Sequence, residues 1–378
     1  MFVTNTQAIN VPGLTVDAML CNVIDAIKAD TTADLSVTLD WGDSTTASSG
    51  TLAGSAGSFT VSGTHTFARP GAYAVTVTVT DPATGGTAQS TVNVTADVTQ
   101  YSVLADILGI VMGPDGNMWF TDQTSNAIWR MTPDGVGTPF DLPSGSAPQE
   151  ITVGSDGNLW FTEWDRIGRI TPAGDITEFA VPTVNSDPLG ITVGPDGSIW
   201  FTEASANQIG QLTPSGTFNE LPIPEANVSP AGIVAGPDGN LWFAEYEAQA
   251  IGSVTPSGVF KQYPLSSDTL PDKIIVGPDG NLWFSSETAI GQITTSGAIS
   301  LFPVDTVSWI ITLGPDGNIW FSGGVAKTFS SNNLGEMTTA GATTAMYSAP
   351  FQVDAMAAGP NATLWLVGAN GQIAVITP

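Results

Sequence analysis

Positive charge is scarce in this sequence: 378 residues carry 8 Lys and Arg against 35 Asp and Glu, a formal net charge of −27. Such a balance repels phosphate and excludes nucleic acid as a partner. Cysteine is rarer still. Cys21 stands alone, so no intrachain disulfide exists, stability rests on packing, and a single thiol in an apolar, strand-like run reads as a small core residue. Histidine is equally rare, with His65 the sole example, so it has no second histidine with which to share a metal. No apolar run approaches a membrane-spanning length, and no membrane insertion is expected. Met1 to Asn10 contains no apolar run and the first basic residue is Lys28, so a secretory leader is not expected in the sequence as given. A mature form with its leader removed and a virion protein that leaves by lysis both fit that reading.

What the sequence has in abundance is repetition. GPDGSIWFTE, Gly194 to Glu203, recurs in close copies from Gly113, Gly154, Gly236, Gly277, Gly314 and Gly359. The marker tryptophans Trp119, Trp160, Trp200, Trp242, Trp283, Trp320 and Trp365 are spaced by 41, 40, 42, 41, 37 and 45 residues. A period near forty belongs to propellers and arrays. Each copy reads as a hairpin whose Pro-Asp-Gly turn is followed by a third run, a second turn and a fourth run. Four short antiparallel strands per unit, with no helical period between them, make a propeller blade. The turn aspartates, Asp115, Asp156, Asp196, Asp238, Asp279 and Asp316, are read as turn chemistry rather than as a ligand field.

Residues 1–97 carry 8 acids and 2 bases and form a separate unit of period-two strands, such as Leu35 to Leu39 and Ala74 to Thr80. Its motifs WGDST (Trp41 to Thr45), GTHTF (Gly63 to Phe67) and PGAYAVTVTVTD (Pro70 to Asp81) resemble the PKD domain, an immunoglobulin-like β-sandwich of surface proteins. Ser44 replaces the glycine usual in that family. The resemblance implies a spacer, a docking module or a site of self-association, and no chemistry. His65 is expected to make a structural hydrogen bond inside the sandwich, and Trp41 to be a core or edge anchor.

Residues 98–378 hold 27 acids and 6 bases. The last repeat lacks a fourth strand, and DVTQYSV (Asp97 to Val103) matches the fourth-strand segment DITEFAV (Asp175 to Val181), so residues 98–104 are expected to complete the last blade and remove an open sheet edge. The expected fold is therefore all-β: a PKD-like, immunoglobulin-like β-sandwich over residues 1–97, then a seven-bladed β-propeller over 98–378. GPDGNLWFTE-type repeats followed by IGRITPAG and ITEF (Ile167 to Gly174, Ile176 to Phe179) resemble the streptogramin B lyases, also called virginiamycin B lyases. That resemblance implies ring opening by elimination with magnesium and a catalytic histidine on the propeller face. This propeller has no histidine. Before the inner strands stand Gln149 and Glu150, Leu189 and Gly190, Ala231 and Gly232, Asp272 and Lys273, Ser308 and Trp309, or Val353 and Asp354. No catalytic residue carries over; a carboxylate could replace the base only if burial raised its pKa.

Uniform Pro-Asp-Gly turns occupy one end of the expected propeller and variable loops the other, the longest being the Gly323 to Asn333 insertion. Variable loops on a rigid repeat are the usual place of recognition. The candidate ligand residues there are Trp164, Tyr246, Trp309, Lys327 and Phe329 with Glu163, Glu203 and Glu245, and Asp122 beside them. Aromatics next to carboxylates suit a sugar ring. The acids ending WFTD and WFTE equally suit a loop-tying role. No cofactor is required, and magnesium or calcium has carboxylate oxygens to meet but no compact motif. The expected protein is a non-catalytic binding, adhesion or decoration protein of a virion or cell surface, outside the cell, meeting a surface glycan or protein or other virion or cell-surface proteins. The alternatives are a C–O lyase with a rebuilt acid-base site and a purely structural virion component.

Overall fold

The computed structural model describes the whole chain except residues 1, 6–8, 12–14, 25–30, 44, 68–70, 97, 104–105, 267–268, 305, 308–309 and 326–332. The described residues contain no α-helix. Two compact units divide the chain, the first holding Met1–Thr99 with Tyr347–Pro350 and Thr377, the second Gln100–Met346, Phe351–Ile376 and Pro378.

In the first unit, alternation drives the strands. Val75, Val77 and Val79 of Gly71–Asp81 are buried while the intervening threonines face outward, the period-two pattern of a half-buried strand. One sheet orders Phe2–Asn5, Thr15–Ile24, Ser58–Thr66 and Thr51–Ser55; the other orders Ile9–Val11, Gly86–Ala96, Gly71–Asp81, Ser36–Asp40 and Ser48–Ser49. The core between them includes Val16, Leu20, Leu39, Trp41, Phe59 and Phe67. Cys21 lies in that core, where burial pushes its thiol up to about 11. His65 makes the expected structural bond, to Asp43 Oδ2 at 2.7 Å, and stacks on Trp41 at 4.8 Å.

In the second unit, seven antiparallel sheets follow one another among the described residues. The Trp200 sheet is typical: Pro188–Val193, Ile199–Glu203, Gln208–Leu212 and Phe218–Pro222, paired in sequence order. Its turn explains the repeat. Gly194 accepts no side chain, because a Cβ there would run into the Trp200 indole. Asp196 Oδ1 accepts both the Ser198 N–H at 3.1 Å and the Trp200 Nε1–H at 3.2 Å, so one carboxylate shapes the turn and orients the marker ring. Burial, which raises a carboxyl, is outweighed at Asp115, Asp156, Asp196 and Asp279 by hydrogen bonds from the indole and turn, and these carboxyls lie below their usual range. In the last repeat Thr363 Oγ1 takes over, accepting from Trp365 at 3.1 Å.

The oriented indoles of successive sheets pack against the sheet that follows: Trp119 with Leu159 and Phe161, Trp200 with Leu241 and Phe243, Trp283 with Ile319 and Phe321. Trp365 packs against Met118 and Phe120 of the first sheet. The innermost strands contact each other in the same order, and Ala355–Gly359 returns to Ile107–Met112, which makes a closed ring. The Trp365 sheet takes its outer strand from far upstream: Val98–Ser102 lies beside Gln372–Ile376. Val103 N donates to Gly371 O at 2.9 Å, and Tyr101 stacks on Trp365 at 6.1 Å. Of the residues expected to close the ring, Asp97 and Leu104 lie outside the described residues.

Candidate functional site at the axial mouth

The threonine of the WFT motif sets the spacing of the inner strands. Thr202 Oγ1 accepts the Gly190 N–H of its own sheet at 2.9 Å and donates to Ala231 O of the next at 2.7 Å. Thr121 and Thr162 bridge their neighbours in the same way. The strands come so close that a Cβ on Gly190 would sit 2.5 Å from Ala231 O. Five and four residues before the first glycine of each repeat, two consecutive residues line the propeller axis. Among the described residues the fifth position is Leu108, Gln149, Leu189, Ala231, Asp272 and Asp354; the fourth is Gly109, Glu150, Gly190, Gly232, Lys273, Ile310 and Ala355.

The three glycines of that second tier leave room for its two charged residues. Lys273 Nζ donates to Glu150 Oε1, joining the Trp160 and Trp283 sheets in an ion pair. Above it lies a cavity of about 230 Å³ lined also by Gln149, Asp272 and Asp354; below it is one of about 80 Å³ lined by Ile110, Ile311 and Met356. Glu150 and Lys273 line both, so the pair stands between them.

Burial lowers an ammonium's pKa, but at Lys273 the charges of Glu150 and Asp272 and the bond from Glu150 outweigh it, and the pKa is raised. Lys273 is thus a fixed cation and offers no free amine as a base. The Asp272 carboxyl is pushed up, chiefly by burial, with Lys273 acting against the shift. The mouth therefore presents a neutralised pair, the Asp272 carboxyl inclined to keep its proton, the Asp354 carboxyl, and the amide of Gln149. That set accepts and donates hydrogen bonds to a polar ligand.

The candidate residues from the sequence are dispersed. Glu203 and Glu245 end the second strands of their sheets and Glu163 follows its own; Glu163, Glu203 and Glu245 are 0%, 0% and 1% exposed, which takes them out of reach of a face-bound ligand. Two of them tie strands together: Glu203 Oε2 accepts from Gln208 of the third strand at 2.9 Å, and Glu245 Oε2 from Gln262 of the fourth at 2.6 Å. Burial pushes all three up to about 7. Asp122 likewise accepts from Asp106 N, Ser125 N and Trp129 Nε1. Trp164 is 51% exposed and Tyr246 half-buried, on sheets separated by the Trp200 sheet. Trp309, Lys327 and Phe329 lie outside the described residues. The Glu150–Lys273 pair was missed because nothing in a repeat period signals that residues 123 apart meet across an axis.

The model of the virginiamycin B lyase family matches residues 88–288 and 225–378, and that of the PKD domain matches residues 11–94. Among solved structures, virginiamycin B lyase from Staphylococcus aureus is 32% identical with a TM-score of 0.69, covering 74% of this chain and 99% of its own. A streptogramin B lyase is 31% identical with the same TM-score, covering 74% and 96%. A catalytically inactive histidine-to-alanine variant of the Staphylococcus aureus enzyme, crystallised with quinupristin, is 32% identical over the same shares, 74% and 99%, with a TM-score of 0.69. No curated protein matches. The magnesium that the lyase resemblance implies does not fit the residues present: the Glu150 carboxylate is engaged by Lys273, and the described residues hold no group of three or more acids, histidines or cysteines placed to ligate an ion.

Proposed function

The chain belongs to the virginiamycin B lyase family, and we propose that it uses the family's propeller for recognition rather than for elimination. It is a non-catalytic binding or adhesion protein of a virion or cell surface. Its loop face meets a glycan, and the PKD domain spaces or docks the propeller outside the cell. The observation that carries this reading is the composition of the axial mouth. Where the resemblance calls for a histidine base and a metal, this propeller holds no histidine, and its central carboxylate and ammonium neutralise each other. Elimination needs a base that is free to take a proton, and fold alone does not transfer activity. Exposed Trp164 gives a flat surface for a sugar.

Two measurements test the reading together. Incubated with a streptogramin B antibiotic and magnesium, the protein is expected to leave the ring closed, as read by mass. On a glycan array it is expected to bind, with Trp164→Ala weakening binding about tenfold and leaving the melting temperature unchanged. Ring opening above the no-protein control that Glu150→Gln or Asp272→Asn abolishes would instead establish the rebuilt lyase, which the raised Asp272 carboxyl favours. Attachment to host protein without any glycan bound would replace the sugar by a protein partner.

A further inference from the structure

At the turn end of the propeller, away from the axial mouth, the Trp160 and Trp200 sheets part around a pocket of about 460 Å³. One wall is Trp160, Phe179 and Arg169; the other is Leu212 and Pro214. The preceding interface shows what closes such a gap. Arg130, the fourth residue of its third strand, donates from Nη1 to Pro172 O of the next sheet at 2.9 Å. Arg169 holds the same position in Arg166–Ile170, yet it reaches only Thr177 Oγ1 of its own sheet, at 3.3 Å. Its Nε–H is shut off from solvent and has no acceptor. Asp156 also lines the pocket, but its oxygens are taken by Asn158 and Trp160. The opening also reaches the indole: Trp160 is 8% exposed, where Trp119, Trp200, Trp242, Trp283 and Trp320 are 0%.

A buried guanidinium N–H without an acceptor is costly, and the side chain that carries it lines a space of ligand size. The guanidinium lies 5.6 Å from Trp160 and 5.9 Å from Phe179, two rings that stack on each other and so hold it from one side, leaving the rest of the fork to be bonded. A planar fork presented by its edge matches a carboxylate. The wall opposite sets Ile199, Leu212 and Pro214 beside Thr213 and Ser215, whose hydroxyls bond each other at 2.9 Å, and its apolar part suits a flat hydrocarbon body. We infer that the pocket between the Trp160 and Trp200 sheets binds a small aromatic carboxylate, its oxygens on the Arg169 guanidinium and its ring against Leu212 and Pro214. This site is independent of the axial mouth and of the reading of that mouth.

Benzoate and its neutral analogue benzamide, titrated into the full chain by calorimetry, probe it. Benzoate is expected to bind saturably and benzamide at least about tenfold more weakly. Arg169→Gln removes the preference, whereas Arg166→Gln, which deletes the same charge where it pairs with Glu178, keeps it. Should Arg169→Gln fail to fold, Leu212→Trp fills the pocket with Arg169 intact and is expected to abolish binding. Absence of saturable benzoate binding, equal affinity for benzamide, or unchanged binding in both Arg169→Gln and Leu212→Trp overturns the inference.

Discussion

Single carboxylates behave oppositely at the two ends of each blade, and the difference is one of partners. The turn aspartates Asp115, Asp156, Asp196 and Asp279 gain indole and backbone donors and ionise readily, while Glu163, Glu203 and Glu245 are buried with few donors and hold their protons up to about 7. A carboxyl whose folded value of about 7 exceeds its ordinary 4.5 binds more protons folded than unfolded. Stability from these three is therefore complete below about 4.5 and is lost as the pH rises through about 7. The depressed turn aspartates act in the other sense, losing their contribution only as the pH falls through their lowered values. The melting temperature is thus expected to be higher at pH 5 than at pH 8, and Glu203→Gln, by removing one titrating group, should raise it at pH 8 and flatten the profile. A Glu203→Gln protein with the parent's full pH dependence would contradict the assignment.

Between blades, the element that matters is a hydroxyl. Thr202 joins the inner strands of two sheets, so Thr202→Val leaves Gly190 N and Ala231 O unpaired in a buried place and should cost roughly 2–4 kcal/mol in denaturant unfolding. The Trp242 sheet already carries Ala244 at the equivalent place, so Ala244→Val is the control, its cost confined to added volume. Hairpins and turns were legible because Pro-Asp-Gly chemistry is local, and the closing strand was legible because Asp97 to Val103 copies Asp175 to Val181. The site was legible only in part. Sequence singled out the residues just before the inner strands as the places where the lyase resemblance sets its histidine, but the acids of WFTE look alike in sequence whether exposed or buried. The Arg169 pocket carried one local sign: Ser155 stands where the six other turns have proline, at an interface whose arginine does not cross to the next sheet.

At the scale of the whole propeller, the ring depends on one borrowed strand. Deleting residues 98–104 strips Val98–Ser102 from the Trp365 sheet, uncovers the edge of Gln372–Ile376 and removes Tyr101 from Trp365. The expected result is insolubility or a melting temperature lower by ~10 °C or more in a scanning measurement; a variant that melts with the parent would refute closure by this strand.

That borrowed strand also sets a timetable for biosynthesis. Val98–Ser102 leaves the ribosome 270 residues before its partner Gln372–Ile376 begins, counting from residue 102 to residue 372. Six sheets can each be assembled from residues at hand as translation proceeds, whereas the seventh must wait until Gln372–Ile376 has been made. During that wait the nascent protein carries an unpaired strand at one margin of its growing stack and an uncovered sheet at the other. These are the margins by which two polysomal neighbours could clasp each other, so slow elongation late in the message should favour exchanged dimers over the closed monomer.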